Sequence, residues 1–238
     1  MSARGRSLLW LSLAAVPAFL VLLGLGTWQV ERRAWKLDLI AARTAAFDAA
    51  PIALPDAIPD PDALDFRRVW VEGRFLHERE MHLIGRFYRD QPGYQIVTPL
   101  ILADGSAVLV NRGFVPLDKV DPASRPAGQV AGTVRVEGAV RRSERPGWLT
   151  PDNQPAKNVW FTPDLSQMAE WAGLSRVRPV FVEAGPAPNP GGLPIGGQTR
   201  IDLPNDHLQY AITWYSLALA LAVIYGILCH RHLSGNRS

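Results

Sequence analysis

His207, Tyr210 and Trp214 stand at the start of a long apolar run, at i, i+3 and i+7. On a helix that spacing puts an imidazole, a phenol and an indole on one face. Near the end of an earlier apolar run, Trp28, Arg32 and Trp35 share a face at i, i+4 and i+7, beside a stripe of Gln29, Arg33 and Lys36. Neutral imidazole is an axial ligand for haem iron. Guanidinium groups meet carboxylates, porphyrin propionates among them, through charge-assisted hydrogen bonds. Aromatic rings can line the apolar slot a porphyrin needs. The same residue types also have a plainer use. Trp and Tyr populate the interfacial belt of membrane helices, and Arg and Lys snorkel there. His207 pulls towards chemistry, because an ionisable residue at the mouth of a membrane helix marks a functional site by default. Its competing reading is a helix-start residue that merely faces water.

Elsewhere the chemistry is thin. His77 and His82 are five apart in an expected strand and turn, so alternation puts them on opposite faces, unsuited to sharing a metal. His230 and His232 read as solvated tail residues. There is no Gly-x-Ser-x-Gly elbow. Gly191-Gly192 and Gly196-Gly197 lack the Lys-Ser/Thr of a phosphate loop and read as turn glycines. Arg112, a charge inside a strand pattern, is expected on a solvated face or in an ion pair closing the domain onto the membrane. The single cysteine, Cys229, excludes an internal disulfide, covalent haem attachment and a thiol relay. A net charge of +3 without a basic stripe gives no reason to expect nucleic acid.

These residues are positioned by two uncharged stretches, Ser7–Val30 and Leu208–Cys229. Each exceeds the roughly 20 apolar residues that a helix needs to cross a bilayer core, and in lipid a helix satisfies its own backbone. The first is too long for the h-region of a signal peptide, about 7–15 residues, so it is expected to be retained. The six residues before Ser7 are too few for an organelle transit peptide, which favours a bacterial inner membrane. Arg4 and Arg6 precede the first span; His230, Arg231, His232 and Arg237 follow the second. Short basic tails stay cytoplasmic, so both termini are expected inside and the main domain in the periplasm.

The expected organisation is therefore a transmembrane helix over 7–30, a helical extension over 31–50, an extracytoplasmic β-rich domain over 51–206, a second transmembrane helix over 207–229 and a tail over 230–238. Pro51, Pro55, Pro59 and Pro61 stop the extension. Strands are predicted at Arg67–Phe75, Glu80–Phe87, Tyr94–Leu102, Ala107–Val115, Val130–Val140 and Arg178–Glu183, with a hairpin turn at Asp104-Gly105. One short helix is predicted over Asp164–Gly173, with an Asp cap and a Gly stop. The fold class is a membrane-anchored α+β protein carrying an antiparallel barrel or sandwich.

Four segments in order resemble the surfeit-locus cytochrome c oxidase assembly proteins, across nearly the whole chain. They are Gly26–Lys36 (GTWQVERRAWK); Val110–Pro116 (VNRGFVP), with Phe114 where a Trp is common; Pro151–Pro155 with Asn158–Phe161; and Gly191–Trp214, in which Asn205-Asp206-His207 departs from a common Asn-Asn-His pattern. The resemblance implies a non-catalytic membrane assembly factor for haem–copper oxidase subunit I. For a bacterial member it implies transient binding of haem a received from haem a synthase, with His207 as the residue implicated. On that reading His207 ligates the iron, Trp28, Tyr210 and Trp214 line the slot, and Arg32 and Arg33 meet the propionates. The alternative is a cofactor-free membrane scaffold that stabilises nascent subunit I, its aromatics serving as helix-packing contacts. An extracytoplasmic enzyme is a third reading, and it lacks a nucleophile or metal site.

Overall fold

A computed structural model describes residues 3–234, with side chains over 9–232. The expectation for Arg4, Arg6 and Arg237 lies outside the described side chains. The chain divides into two units: residues 1–41 with 202–238, and residues 42–201.

The first unit holds the long helices. α1 runs unbroken over Ala3–Asp48, through Pro17, so the expected span and its extension are one helix. Its 46 residues, at ~1.5 Å each, exceed the ~30 Å apolar core of a bilayer. The C-terminal helix, α3 once α2 is counted below, covers His207–Ser234. It continues through His230, Arg231 and His232, where a tail was expected. Both helices are long and apolar enough to cross a membrane, so the protein is membrane-anchored. They touch through side chains. Ser12 and the Tyr225 hydroxyl lie 2.7 Å apart, and Thr27 and the Tyr215 hydroxyl 3.1 Å apart. Gly26 is needed at this contact: a Cβ there would come within 2.6 Å of the Tyr215 ring. Ala211 and Ala218, seven apart on α3, are buried, as expected where small residues let membrane helices approach.

The second unit is a β barrel. Its strands are β1 (Ile52–Ala53), β2 (Arg68–Phe75), β3 (Met81–Tyr88), β4 (Gln91–Ile101), β5 (Ala107–Pro116), β6 (Thr133–Arg142), β7 (Val159–Trp160) and β8 (Val177–Ala184). Hydrogen bonding runs β2-β6-β8-β5-β4 and returns to β2 through Arg74–Ile101 and Phe75–Leu100, which closes the ring. β3 lies along β4 outside the ring, and β1 and β7 are short additions. The predicted strands are all present, and Asp104-Gly105 turns β4 into β5, Asp104 Oδ1 accepting from the Ser106 N–H at 2.9 Å. Most pairings are antiparallel; β5–β8, β1–β2 and β3–β7 are parallel. The parallel β5–β8 pair follows from the long crossover that contains helix α2.

Two apolar cores result. Val69, Val71, Val108, Val110, Val140, Val180 and Val182 fill the barrel with Leu100. Leu109 and Phe181, the alternate residues of β5 and β8, point outwards and join Met81, Leu83, Val97 and Trp160 beneath α2 (Leu165–Ala172), which adds Leu165 and Met168. β5 is thus covered on both faces, which is why its sequence reads as nearly continuous apolar residues. Asp164 caps α2 by accepting from the backbone of Ser166 and Gln167, and Gly173 ends it in the left-handed region, as predicted.

Candidate functional site

His207 is the first residue of α3, and its ring meets α1. Its Nδ1 lies 2.6 Å from Gln29 Oε1, and Gln29 is buried. An amide oxygen can only accept, so Nδ1 carries the proton and donates. The Nε2 atom then holds the lone pair. A hydrogen bond to one ring nitrogen that fixes the tautomer and aims the other is the arrangement metal-binding imidazoles use.

The residues grouped with His207 divide. Trp214 is half-buried, and its indole N–H is buried without a partner among the described residues. Arg33 is half-buried. Trp28 and Tyr210 point outwards, 53% and 55% exposed, and neither ring pairs with the imidazole among the described contacts. The Arg32 guanidinium stacks on the Trp35 ring, 3.9 Å from its centroid. The face of α1 turned to α3 is therefore that of Gly26 and Gln29, and the Trp28–Arg32–Trp35 face lies beside it. The sequence placed Gln29 in the neighbouring stripe; only the contact between helices identifies it as the partner of His207.

A Gln29-fixed imidazole with a free lone pair, a half-buried indole and adjacent cations fit the needs of a porphyrin: one nitrogen ligand, apolar surface and partners for carboxylates. No group of three or more His, Cys, Asp or Glu side chains could hold a bare metal ion among the described residues.

Two of the motif segments in the β unit are structural. Arg112 is the extra residue of a bulge, since Asn111 pairs with Val97 and Gly113 with Ile96. The bulge turns its side chain inwards, so Arg112 is buried, 1% exposed, rather than on a solvated face. Among the described residues it makes no ion pair. It donates to the Gly128 carbonyl, reaches Asn189 Oδ1 and His77 Nδ1 at 3.5 Å and covers the Phe75 ring at 4.7 Å. Burial, with the Arg125 charge nearby, lowers its pKa to about 10. Burial likewise lowers the pKa of His77, whose Nε2 donates to the Val130 carbonyl at 2.9 Å. His82 instead bonds Glu80, at 3.1 Å, so the two imidazoles serve separate networks. Glu80 also pairs with buried Arg125. Burial alone pushes the Glu80 carboxyl up, but hydrogen bonds from His82 and Arg125, with the Arg125 charge, hold it below its usual range.

In the other motif, Asn153 Oδ1 accepts from the backbone N–H groups of Phe161 and Thr162. Asn158 sits in the left-handed region at φ 53°, donates to the Glu80 carbonyl and accepts from the fully buried Trp160 indole.

The SURF1 family model matches residues 16–219, covering the β unit, most of α1 and the first part of α3. A SURF1-like protein of Monosiga brevicollis is 42% identical over 250 residues, covering 100% of this chain and 92% of that protein. Surfeit locus protein 1 of Homo sapiens is 40% identical over 231 residues, covering 90% and 75%. The Mus musculus protein is 41% identical over 217 residues, covering 85% and 70%. None of these names is that of an enzyme.

Proposed function

The chain belongs to the SURF1 family, and from that premise we propose that it is a non-catalytic assembly factor for haem–copper cytochrome c oxidase, which binds haem a transiently at His207 and assists its insertion into subunit I. The hydrogen bond from His207 Nδ1 to Gln29 carries the reading, because it leaves Nε2 as a free Lewis base at the end of a membrane helix. When bound, haem a supplies the iron centre that the protein hands on. The protein's part is to hold, orient and release. One axial nitrogen suits release: each ~1.4 kcal/mol of affinity is a tenfold change in dissociation constant, and a second ligand would slow handover. Trp214 gives apolar surface, and Arg32 and Arg33 are the cations nearest in sequence for propionates. Haem a synthase is the donor and subunit I the acceptor. The basic residues around the helix ends favour cytoplasmic termini and a periplasmic β unit, in a bacterial inner membrane.

Protein co-expressed with haem a synthesis and purified in detergent is expected to show a haem absorption band that His207→Ala abolishes. An undiminished band in that variant defeats the assignment. One observation favours a second reading: Trp28 and Tyr210 face outwards, where they can pack against helices of another protein. On that reading the protein is a cofactor-free scaffold for subunit I. A colourless preparation that still captures subunit I selects it.

A further inference from the structure

The β unit contains a polar cavity that the reading above does not use. It occupies about 350 Å³ and is lined by Arg86, Arg141, Arg200, Glu183, Gln95 and Gln198, among others. That volume lies in the range of ligand sites, roughly 300–1,000 Å³. Its shape comes from two irregularities in the strands. The β3–β4 register slips between Leu83 and Arg86, where Gly85 adopts φ +68°. A bulge of this kind re-aims the side chain that follows it, and the one following is Arg86. The β5 bulge that buries Arg112 leaves its neighbour Asn111 on the cavity side. Asn111 Nδ2 donates to Gln95 Oε1 at 3.1 Å, so the Gln95 amide N–H groups remain for another partner.

The charges in this cavity are not mutually satisfied. Arg141 is committed to Asp65 and Glu144, at 3.1 and 3.7 Å. Arg86 and Arg200 form no salt bridge among the described residues. Arg86 Nε is buried with no hydrogen-bond partner, and so is Glu183 Oε2. Unpaired buried donors cost free energy unless something outside the chain completes them. Arg86 attracts Glu183 without an ion-pair contact, and two guanidinium groups lacking such contacts beside amide donors are the groups that bind a phosphate or carboxylate.

We propose that this cavity is a binding site for a small anion bearing a phosphate or carboxylate group. Arg86 and Arg200 grip the anion, Gln95 supplies an amide donor, and Glu183 opposes the charge and limits affinity.

The test uses the full chain in phosphatidylcholine nanodiscs, titrated with inorganic phosphate and, separately, with citrate, binding being read by calorimetry. Saturable binding is expected for at least one of them. Arg86→Gln and Arg200→Gln should each weaken it about tenfold or more, the effect of losing one charge-assisted hydrogen bond. Glu183→Gln should tighten it by removing a like charge. Arg200 lies outside every strand, so its substitution carries the test if Arg86→Gln does not fold. Replacing part of the lipid with phosphatidylglycerol distinguishes the sources. Loss of binding then identifies a lipid headgroup as the natural anion, and unchanged binding identifies a free solute. No saturation with either anion overturns the proposal, as does binding that survives both arginine substitutions.

Discussion

The bond from His207 to Gln29 joins residues 178 positions apart in sequence, and much of the site's chemistry depends on it. His207 was legible from sequence, because an imidazole at the start of an uncharged run is conspicuous. Gln29 was not, because a glutamine in an interfacial motif has no distinguishing pattern until the second helix is placed against it. Gln29→Leu removes the acceptor, so Nδ1 and Nε2 tautomers become comparable. Haem retention should fall by about 10–100-fold, the usual effect of losing such a supporting partner, while nitrogen-15 spectra of the haem-free protein show the His207 proton redistributed. Arg112 was misread for a related reason: strand alternation assumes an unbroken register, and a bulge breaks it. Glu183 gives a residue-scale test with a defined sign. Burial is the main cause that raises its carboxyl above 4.5, against a Thr199 hydrogen bond and the Arg141 charge. Below its unfolded value both states are protonated and the group is neutral to stability. As pH rises through the raised folded value, the unfolded chain has already released its proton, and stability is lost. Glu183→Gln should therefore raise the melting temperature near neutral pH and give no gain below about pH 4.5, the unfolded value.

At the scale of elements, the six longer strands and α2 could be read because each carries several periods of its pattern between turn signals. β1 and β7, two residues each, are too short to show a period and exist only through their neighbours. Closure of the barrel rests on the two-residue contact of β2 with β4, which no local pattern encodes. Nor did the sequence show that the helices touch, since the two uncharged spans are apolar all round. The contrast between two substitutions tests this account of how the elements are fixed. Asp164→Ala removes a cap at one helix end and should cost about 1 kcal/mol in denaturant unfolding of the full chain. Gly113 has φ +118°, and a Cβ there would lie 1.9 Å from the Ile195 carbonyl oxygen. Ile195 pairs with Phe114 in an antiparallel bridge alongside β5, which holds the two backbones together. Gly113→Ala should cost on the order of 3 kcal/mol or more, from strained backbone and steric overlap together. Equal losses in the two variants contradict the placement of residues 194–196 against β5.

For the whole molecule, the proposed orientation makes a prediction that needs neither haem nor a partner. Two spans joined by one domain put both termini on the same side, and the basic residues His230, Arg231 and His232 at the end of α3 select the cytoplasm. The arginines and lysine at 32, 33 and 36 would then lie outside, a pattern tolerated because long domains cross the membrane largely regardless of charge. The only cysteine, Cys229, lies at the opposite end of α3 from His207. Trp148 is 93% exposed on the β unit. In intact cells with a permeable outer membrane, a membrane-impermeant maleimide should label Trp148→Cys made in a Cys229→Ser background. Wild-type Cys229 should react only after the inner membrane is opened. The reverse pattern would put the β unit in the cytoplasm. His207, at the beginning of α3, would then sit at the cytoplasmic end of its span, and haem delivery from the periplasmic side would have to be abandoned even if His207 still bound haem.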